Sequence, residues 1–241
     1  MRPRAKRSAL AGIAAFGCAL ALSWPAHADV TIPAGGSIGL DAGGLDAGCT
    51  DLIVLGTLHT NSAQVSNVRN LIIQSGGLID AGASSISVGG NWSNSGTFTA
   101  GGGQVNFSDV CGVDPSAVTG NTTFNNVSFT SAGGKTWQFA SGSTQTVQGL
   151  LNIQGDVSDP LNFRSATPGQ QASIVLNGTH TAANLDVVDV NFIDPSIPSD
   201  IKPIPTLSPF GMLVLLLLLG ATIVGTSSRR LCQKSTWGNR S

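Results

Sequence analysis

Short apolar segments return along this chain at a nearly regular interval of roughly 23 residues, and that interval restricts the folds open to it. Three pairs of segments show it: Val105–Phe107 with Val127–Phe129, Phe139 with Phe163, and Leu151–Gly155 with Ile174–Gly178. Gly44–Gly48 and Leu78–Gly82 match at a longer separation. The interval is long enough for three short strands and three turns. It predicts a parallel β-helix of about seven coils, with inward positions such as Ile153 and Val175.

The turns between these segments support an all-β domain. Leu52–Leu55 ends at Gly56, and Asn70–Ile73 ends at Ser75, Gly76 and Gly77, after one Gln. Glu, a good helix former, is absent, and all 13 acidic residues are Asp. We therefore predict a β-rich repeat domain over residues 29–195, built as a right-handed parallel β-helix. A β-sandwich is the alternative, because it also combines short strands with frequent turns.

The N-terminal residues have the pattern of a secretory signal peptide. Four basic residues open the chain: Arg2, Arg4, Lys6 and Arg7. An apolar run over 9–22 follows, and Ala26 and Ala28 supply the small residues of a cleavage site. We predict a signal peptide over 1–28 that passes the Sec translocon and is cut by signal peptidase after Ala28.

The C-terminal residues have the pattern of a membrane anchor. Residues 210–228 carry no charge, which is enough for one transmembrane helix. Arg229 and Arg230 follow directly and would stop transfer of the chain across the membrane. Residues 231–241 would then remain as a cytoplasmic tail. The two ends agree, because both place the domain between them on the outer side of the inner membrane.

A short motif precedes the apolar run. It reads Ile204, Pro205, Thr206, Leu207 and Ser208, after a linker over 196–203. With the apolar helix and the Arg pair, residues 204–230 resemble the IPTL-CTERM sorting domain, a relative of the PEP-CTERM signals of Gram-negative bacteria. A plain single-span anchor is the alternative.

The resemblance implies that an exosortase-like membrane protease recognises these five residues. It also implies an exopolysaccharide or biofilm setting. The chain would first be a single-pass intermediate in the inner membrane with its domain in the periplasm. It would then reach the cell surface or the extracellular space.

Charge is distributed unevenly along the chain. All 13 Asp lie between Asp29 and Asp200, whereas only three of the 12 Lys and Arg do. An acidic domain repels phosphate backbones, so we expect no nucleic-acid partner.

We assign no catalytic residue, no metal ligand and no cofactor. His59 and His180 have no second ligand at a metal-binding spacing, so we interpret both as structural. Two pairs of carboxylates stand close in sequence: Asp156 with Asp159, and Asp186 with Asp189. Both pairs lie beside turns or strand ends, where Asp commonly caps its own backbone. Arg164 precedes Asp186 by 22 residues, which favours contact between adjacent coils. β-Helix enzymes that act on acidic polysaccharides combine Asp with a basic residue in this way, and a surface ion pair explains the spacing equally well.

Two cysteines belong to the predicted exported domain. Cys49 and Cys111 would meet an oxidising compartment, so a disulfide between them is expected. Four Asn residues fit the Asn-x-Ser/Thr pattern, which we interpret as chance in an Asn- and Ser-rich chain: Asn91, Asn121, Asn126 and Asn177.

Two functions of different class fit these features. The favoured one is a non-enzymatic structural or adhesin-like protein of the cell surface, delivered by two signals. The alternative is a carbohydrate-active β-helix enzyme, a polysaccharide lyase or hydrolase, displayed at the surface.

Overall fold

The structure is a computed structural model, and it describes residues 28–195. Within that range every regular element is a β-strand and no helix occurs. The strands are β1 (Val30–Ile32), β2 (Ser37–Gly39), β3 (Gly44–Val54), β4 (Thr57–His59), β5 (Gln64–Ile73), β6 (Leu78–Asp80), β7 (Ser85–Val88), β8 (Trp92–Asn94), β9 (Thr97–Thr99), β10 (Gln104–Phe107), β11 (Ser116–Thr119), β12 (Thr122–Phe124), β13 (Asn126–Thr130), β14 (Thr136–Phe139), β15 (Thr144–Val147), β16 (Leu150–Gln154), β17 (Leu161–Ser165), β18 (Ala172–Leu176), β19 (Thr179–Ala183), β20 (Leu185–Val188) and β21 (Val190–Ile193).

These strands wind into a parallel β-helix of about eight coils with three faces. The first face holds β1, the second halves of β3 and β5, and then β8, β11, β14, β17 and β20. The second face consists of two four-stranded sheets, β2-β4-β6-β9 and β12-β15-β18-β21. The third face holds the first halves of β3 and β5, followed by β7, β10, β13, β16 and β19.

The first and third faces form one 13-stranded sheet, because β3 and β5 run through the corner between them without a break. All pairings between neighbouring coils are parallel, which excludes the β-sandwich alternative. The compact body that contains the coils ends at Phe192.

The core is the column of inward side chains inside the coils. Alternate residues of each strand point inward, as a strand's two-residue period requires. In the middle coils the column is aromatic, with the rings of Phe107 and Phe129 stacked at 4.6 Å. Trp92 and Trp137 pack edge-on against Phe107. Each buried ring stabilises the coil stack by about 2 kcal/mol through removal of apolar surface from water.

The predicted repeat is confirmed at one place. Val105 pairs with Val127, and Phe107 pairs with Phe129, on adjacent coils of the third face. Phe139 and Phe163 contact each other, but Phe163 pairs with Trp137 and is two positions out of register with Phe139.

Two other predicted repeats are wrong. Leu151–Gly155 begins on the third face, whereas Ile174 lies on the second and pairs with Gln145. Gly44–Gly48 and Leu78–Gly82 also begin on different faces. Val175 is consequently not an inward position: it is half-buried, while Ile153 is 1 % exposed as expected. Coil length varies too much for one fixed interval to match every coil.

Several predicted segments fall outside the described residues. These are residues 1–27 of the signal peptide, the linker over 196–203, the sorting segment over 204–230 and the tail over 231–241. Between residues 28 and 195, no helix has the length and apolar character needed to cross a membrane. The span predicted over 210–228 lies beyond that range.

Candidate functional site

Short side chains along the corners of the coils connect each coil to the next. An Asp or Asn side-chain oxygen accepts a hydrogen bond from a backbone N–H about one coil later. Seven bonds of 2.7–3.2 Å follow this pattern: Asp29 to Asp51, Asn70 to Asn91, Asn91 to Ala117, Asp109 to Ala132, Asp114 to Thr136, Asn121 to Thr144 and Asn126 to Leu150. We call these bonds the corner ladders. They give partners to backbone groups that the strand pairing leaves unpaired.

The corner ladders account for two features of the composition. The acceptor oxygen must lie close to the backbone, so Asp and Asn suit this position better than the longer Glu. Three of the four Asn-x-Ser/Thr residues are ladder members: Asn91, Asn121 and Asn126. The fourth, Asn177, donates to Gln148. These asparagines therefore have a structural role.

The connection between β10 and β11, residues 108–115, crosses back over earlier coils, and we call it the strap. Cys111 in the strap forms a disulfide with Cys49 in β3, with Cα atoms 5.0 Å apart. The strap lies so close to Gly89 that a Cβ at that position would collide with the backbone oxygen of Val110. Glycine is therefore required where the strap crosses.

Lys135 anchors the strap from beneath. Its side chain is buried, and its ammonium group donates to the backbone oxygens of Gly89 and Ser108. The same group lies 4.5 Å from the centre of the Trp137 ring. Burial lowers the pKa of Lys135, and the nearby carboxylates of Asp109 and Asp114 oppose that shift. Sequence reasoning missed this lysine, because nothing in its neighbourhood in the chain marks it as buried.

A surface groove of about 430 Å³ borders the strap. Its walls come from three successive coils: Ser108, Asp109, Val110, Thr130, Ser131, Ala132, Gln154, Gly155 and Asp156. Asp109 already accepts a hydrogen bond from the backbone N–H of Ala132. Asp156 accepts from the backbone and hydroxyl of Ser158, and these bonds lower its pKa. The groove contains two carboxylates, and both are hydrogen-bonded to the protein's own groups.

Arg164 and Asp186 meet across adjacent coils, as their spacing predicts. One guanidinium nitrogen of Arg164 lies 2.5 Å from a carboxylate oxygen of Asp186. The guanidinium also donates to the Asp186 backbone oxygen and to Asn162. Asp189 accepts from the backbone N–H of Gly169. These contacts describe a surface ion pair and a turn cap.

The two histidines lie apart from the groove. His59 is 3.4 Å from Asp80 on the second face, and both side chains are partly exposed. His180 is on β19, in the last complete turn of the third face. Among residues 28–195 no group of three or more His, Cys, Asp or Glu is arranged to hold a metal ion.

The predicted sorting residues are not placed by the structure. Ile204, Pro205, Thr206, Leu207, Ser208, Arg229 and Arg230 lie outside the described residues, as does Ala26. Ala28 is the first described residue and is exposed. No protein-family model, curated protein or solved structure matches this chain.

Proposed function

We propose that this chain is an exported structural or adhesin-like protein of the bacterial surface, delivered by an N-terminal signal peptide and a C-terminal sorting signal. The observation that carries the proposal is where the folded body lies. Its first strand begins at Val30, two residues after the proposed cleavage point at Ala28. Its last strand ends at Ile193, just before the proposed linker over 196–203. The β-helix thus occupies the interval between the proposed signal peptide and the proposed sorting signal.

The disulfide supports export. Cys49 and Cys111 pair within the body, and such bonds persist in oxidising compartments such as the periplasm. The stacked coils supply a stiff scaffold, and crossovers between parallel strands are right-handed in nearly all proteins, so we propose that hand here.

Sorting would depend on an extended recognition segment held at the membrane face. Pro203 and Pro205 each disfavour helical geometry in the residue before them, so Ile204 would be presented in extended form. An exosortase-like protease would read Ile204 to Ser208, while Arg229 and Arg230 hold the following helix in place. Exopolysaccharide in the surrounding matrix would be the partner of the displayed domain.

Single substitutions in the motif test this proposal in the native host. Pro205→Ala and Leu207→Ala should leave the protein in the inner membrane at its longer length, while Pro198→Ala in the linker should be processed like wild type. Immunoblots against a C-terminal epitope distinguish the forms. If wild type and both motif variants all keep the C-terminal epitope, the segment is only an anchor.

The acidic groove favours one second candidate, a polysaccharide lyase or hydrolase. Asp109 and Asp156 line a groove that spans three coils, and an extended chain of sugars would lie across these coils. Incubation of the chain with acidic polysaccharides tests this. Turnover that is lost in Asp109→Ala or Asp156→Ala would establish the enzyme and overturn the structural proposal.

A further inference from the structure

The last coil exposes side chains at positions that the coil before it buries. Leu161 and Phe163 on β17 are fully buried. Their partners one coil later on β20 are Leu185, which is half-buried, and Val187, which is 36 % exposed. The inward side of β20 therefore has an apolar surface without a further coil above it in the described part of the chain.

This end of the helix carries an apolar groove of about 290 Å³. The inward residues of all three faces line it: Ala182 from the third face, Leu185 and Val187 from the first, and Phe192 from the second. The strands β19, β20 and β21 are also the last members of their sheets, so each has one edge without a neighbouring strand among residues 28–195.

The first coil presents the matching surface at the opposite end. β1 pairs only with β3, and β2 pairs only with β4, so within the described range both have an open edge. Ile38 on β2 lies in register with the buried Leu58, yet it is 40 % exposed because no described coil precedes it. Val30 on β1 is half-buried for the same reason.

Within residues 28–195, the strands at both ends lack the residue types that most often block pairing of open strands. Proteins protect such edges with Lys, Pro or a covering element. None of the strands β1, β2, β19, β20 and β21 contains Lys, Arg or Pro. The strands at both open ends can therefore pair with a further parallel strand.

We infer that mature chains stack head to tail, with the last coil of one copy on the first coil of the next. β20 would pair with β1, and β21 with β2. A second copy is the fitting occupant because its first coil presents two parallel edges, β1 and β2, on the same two faces as β20 and β21. The contact repeats the coil-to-coil packing within the chain. Such a contact does not close on itself, so it builds a filament. The inference rests on the proposed removal of residues 1–28, which frees the first coil.

Disulfide trapping tests this stacking in the full chain. Ser37 on β2 and Asn191 on β21 are exposed and lie beside the inward residues Ile38 and Phe192. The first and eighth coils are separated by roughly 34 Å, because neighbouring strands lie about 4.8 Å apart. A disulfide requires Cα atoms within about 7 Å, so a bond between these positions joins two copies.

We expect Ser37→Cys with Asn191→Cys, in a Cys232→Ser background, to give a ladder of multimers on non-reducing gels of host membranes. Ser37→Cys with Thr123→Cys is the matched control, because Thr123 is exposed on the same face at mid-length. It should stay monomeric. Adding Val187→Asp should abolish the ladder, whereas Val157→Asp, in an exposed loop, should keep it.

Two results would overturn the stacking. One is monomers only from the Ser37/Asn191 pair in chains whose leader has been removed. The other is dimers from Ser37→Cys alone, which would mean that like ends meet. The mass of the monomer band reports leader removal separately: an intact leader contradicts the proposed export, whereas monomers with a processed leader contradict the stacking.

Discussion

Cys49 and Cys111 are joined by a disulfide although 62 residues separate them in sequence. Cys49 lies where β3 passes from the first coil to the second, and Cys111 lies in the strap that follows the fourth coil. The bond therefore ties the first half of the β-helix together along one corner. Lys135 supports the same strap from the fifth-to-sixth coil connection, so the strap is fixed both covalently and by hydrogen bonds.

The disulfide should contribute strongly to stability. A cross-link that closes a loop of 62 residues removes enough chain entropy from the unfolded state to stabilise the fold by about 4 kcal/mol. Urea unfolding of Cys49→Ser with Cys111→Ser should show a loss of that size. Reduced wild type is the control, and it should unfold at the same urea concentration as the double variant. A loss below about 1 kcal/mol would show that the strap is held without the bond.

Inward and outward positions should respond differently to a charge. Ile153→Asp places a carboxylate in the core and should prevent folding, because an unpaired buried charge costs several kcal/mol. Val175→Asp faces outward from β18 and should change the free energy of unfolding by less than about 0.5 kcal/mol. Protease resistance of the exported chain separates the two. Equal sensitivity in both variants would contradict the register of β18.

The corner ladders should depend on one oxygen atom per residue. Asn91→Ala removes the acceptor for the backbone N–H of Ala117 and should cost roughly 1–3 kcal/mol. Asn91→Asp keeps a side-chain oxygen at the same place and should retain most of the stability. Urea midpoints of the two variants provide the comparison. If both variants lose the same amount, the hydrogen bond is not the reason for the asparagine.

Lys135 should make stability depend on pH in the alkaline range. Burial lowers the pKa of Lys135 in the folded chain below its usual value of 10.5. Between the folded and the unfolded pKa the unfolded chain binds more protons than the folded chain, so the contribution of Lys135 to the free energy of unfolding rises with pH. The stability of wild type relative to Lys135→Met should therefore increase as pH rises through the lowered pKa of Lys135 toward 10.5. Parallel pH curves for the two proteins would contradict the burial of a charged lysine.

Sequence reasoning found the class of fold but only part of the register. The pairing of Phe107 with Phe129 was visible because both strands carry the same pattern and their coils differ little in length. The match of Leu151 with Ile174 failed, because short alternating strands on different faces look alike in sequence. Leu151 pairs instead with His180, further along the chain than Ile174, since loops of varying length lie between the strands.

Another repeat was hidden because different residues meet the same backbone requirement. Asp41, Asn61, Gly82 and Gly101 take φ values of 49–55° at the same corner of four successive coils. Gly, Asn and Asp all tolerate this left-handed conformation, so the position repeats in geometry and not in residue type. The corner ladders were missed for a related reason, since Asp and Asn beside turns suggest caps within one turn and not bonds between coils.

The masses of the two ends of the mature protein test the central claim most directly. The account predicts that mass spectrometry of protein from the native host finds Asp29 as the first residue and a C-terminus upstream of Arg229, with residues 231–241 removed. A chain that still begins before Asp29 would contradict export by the predicted signal peptide. An intact C-terminus at Ser241 in the surface fraction would contradict sorting through the Ile204–Ser208 motif.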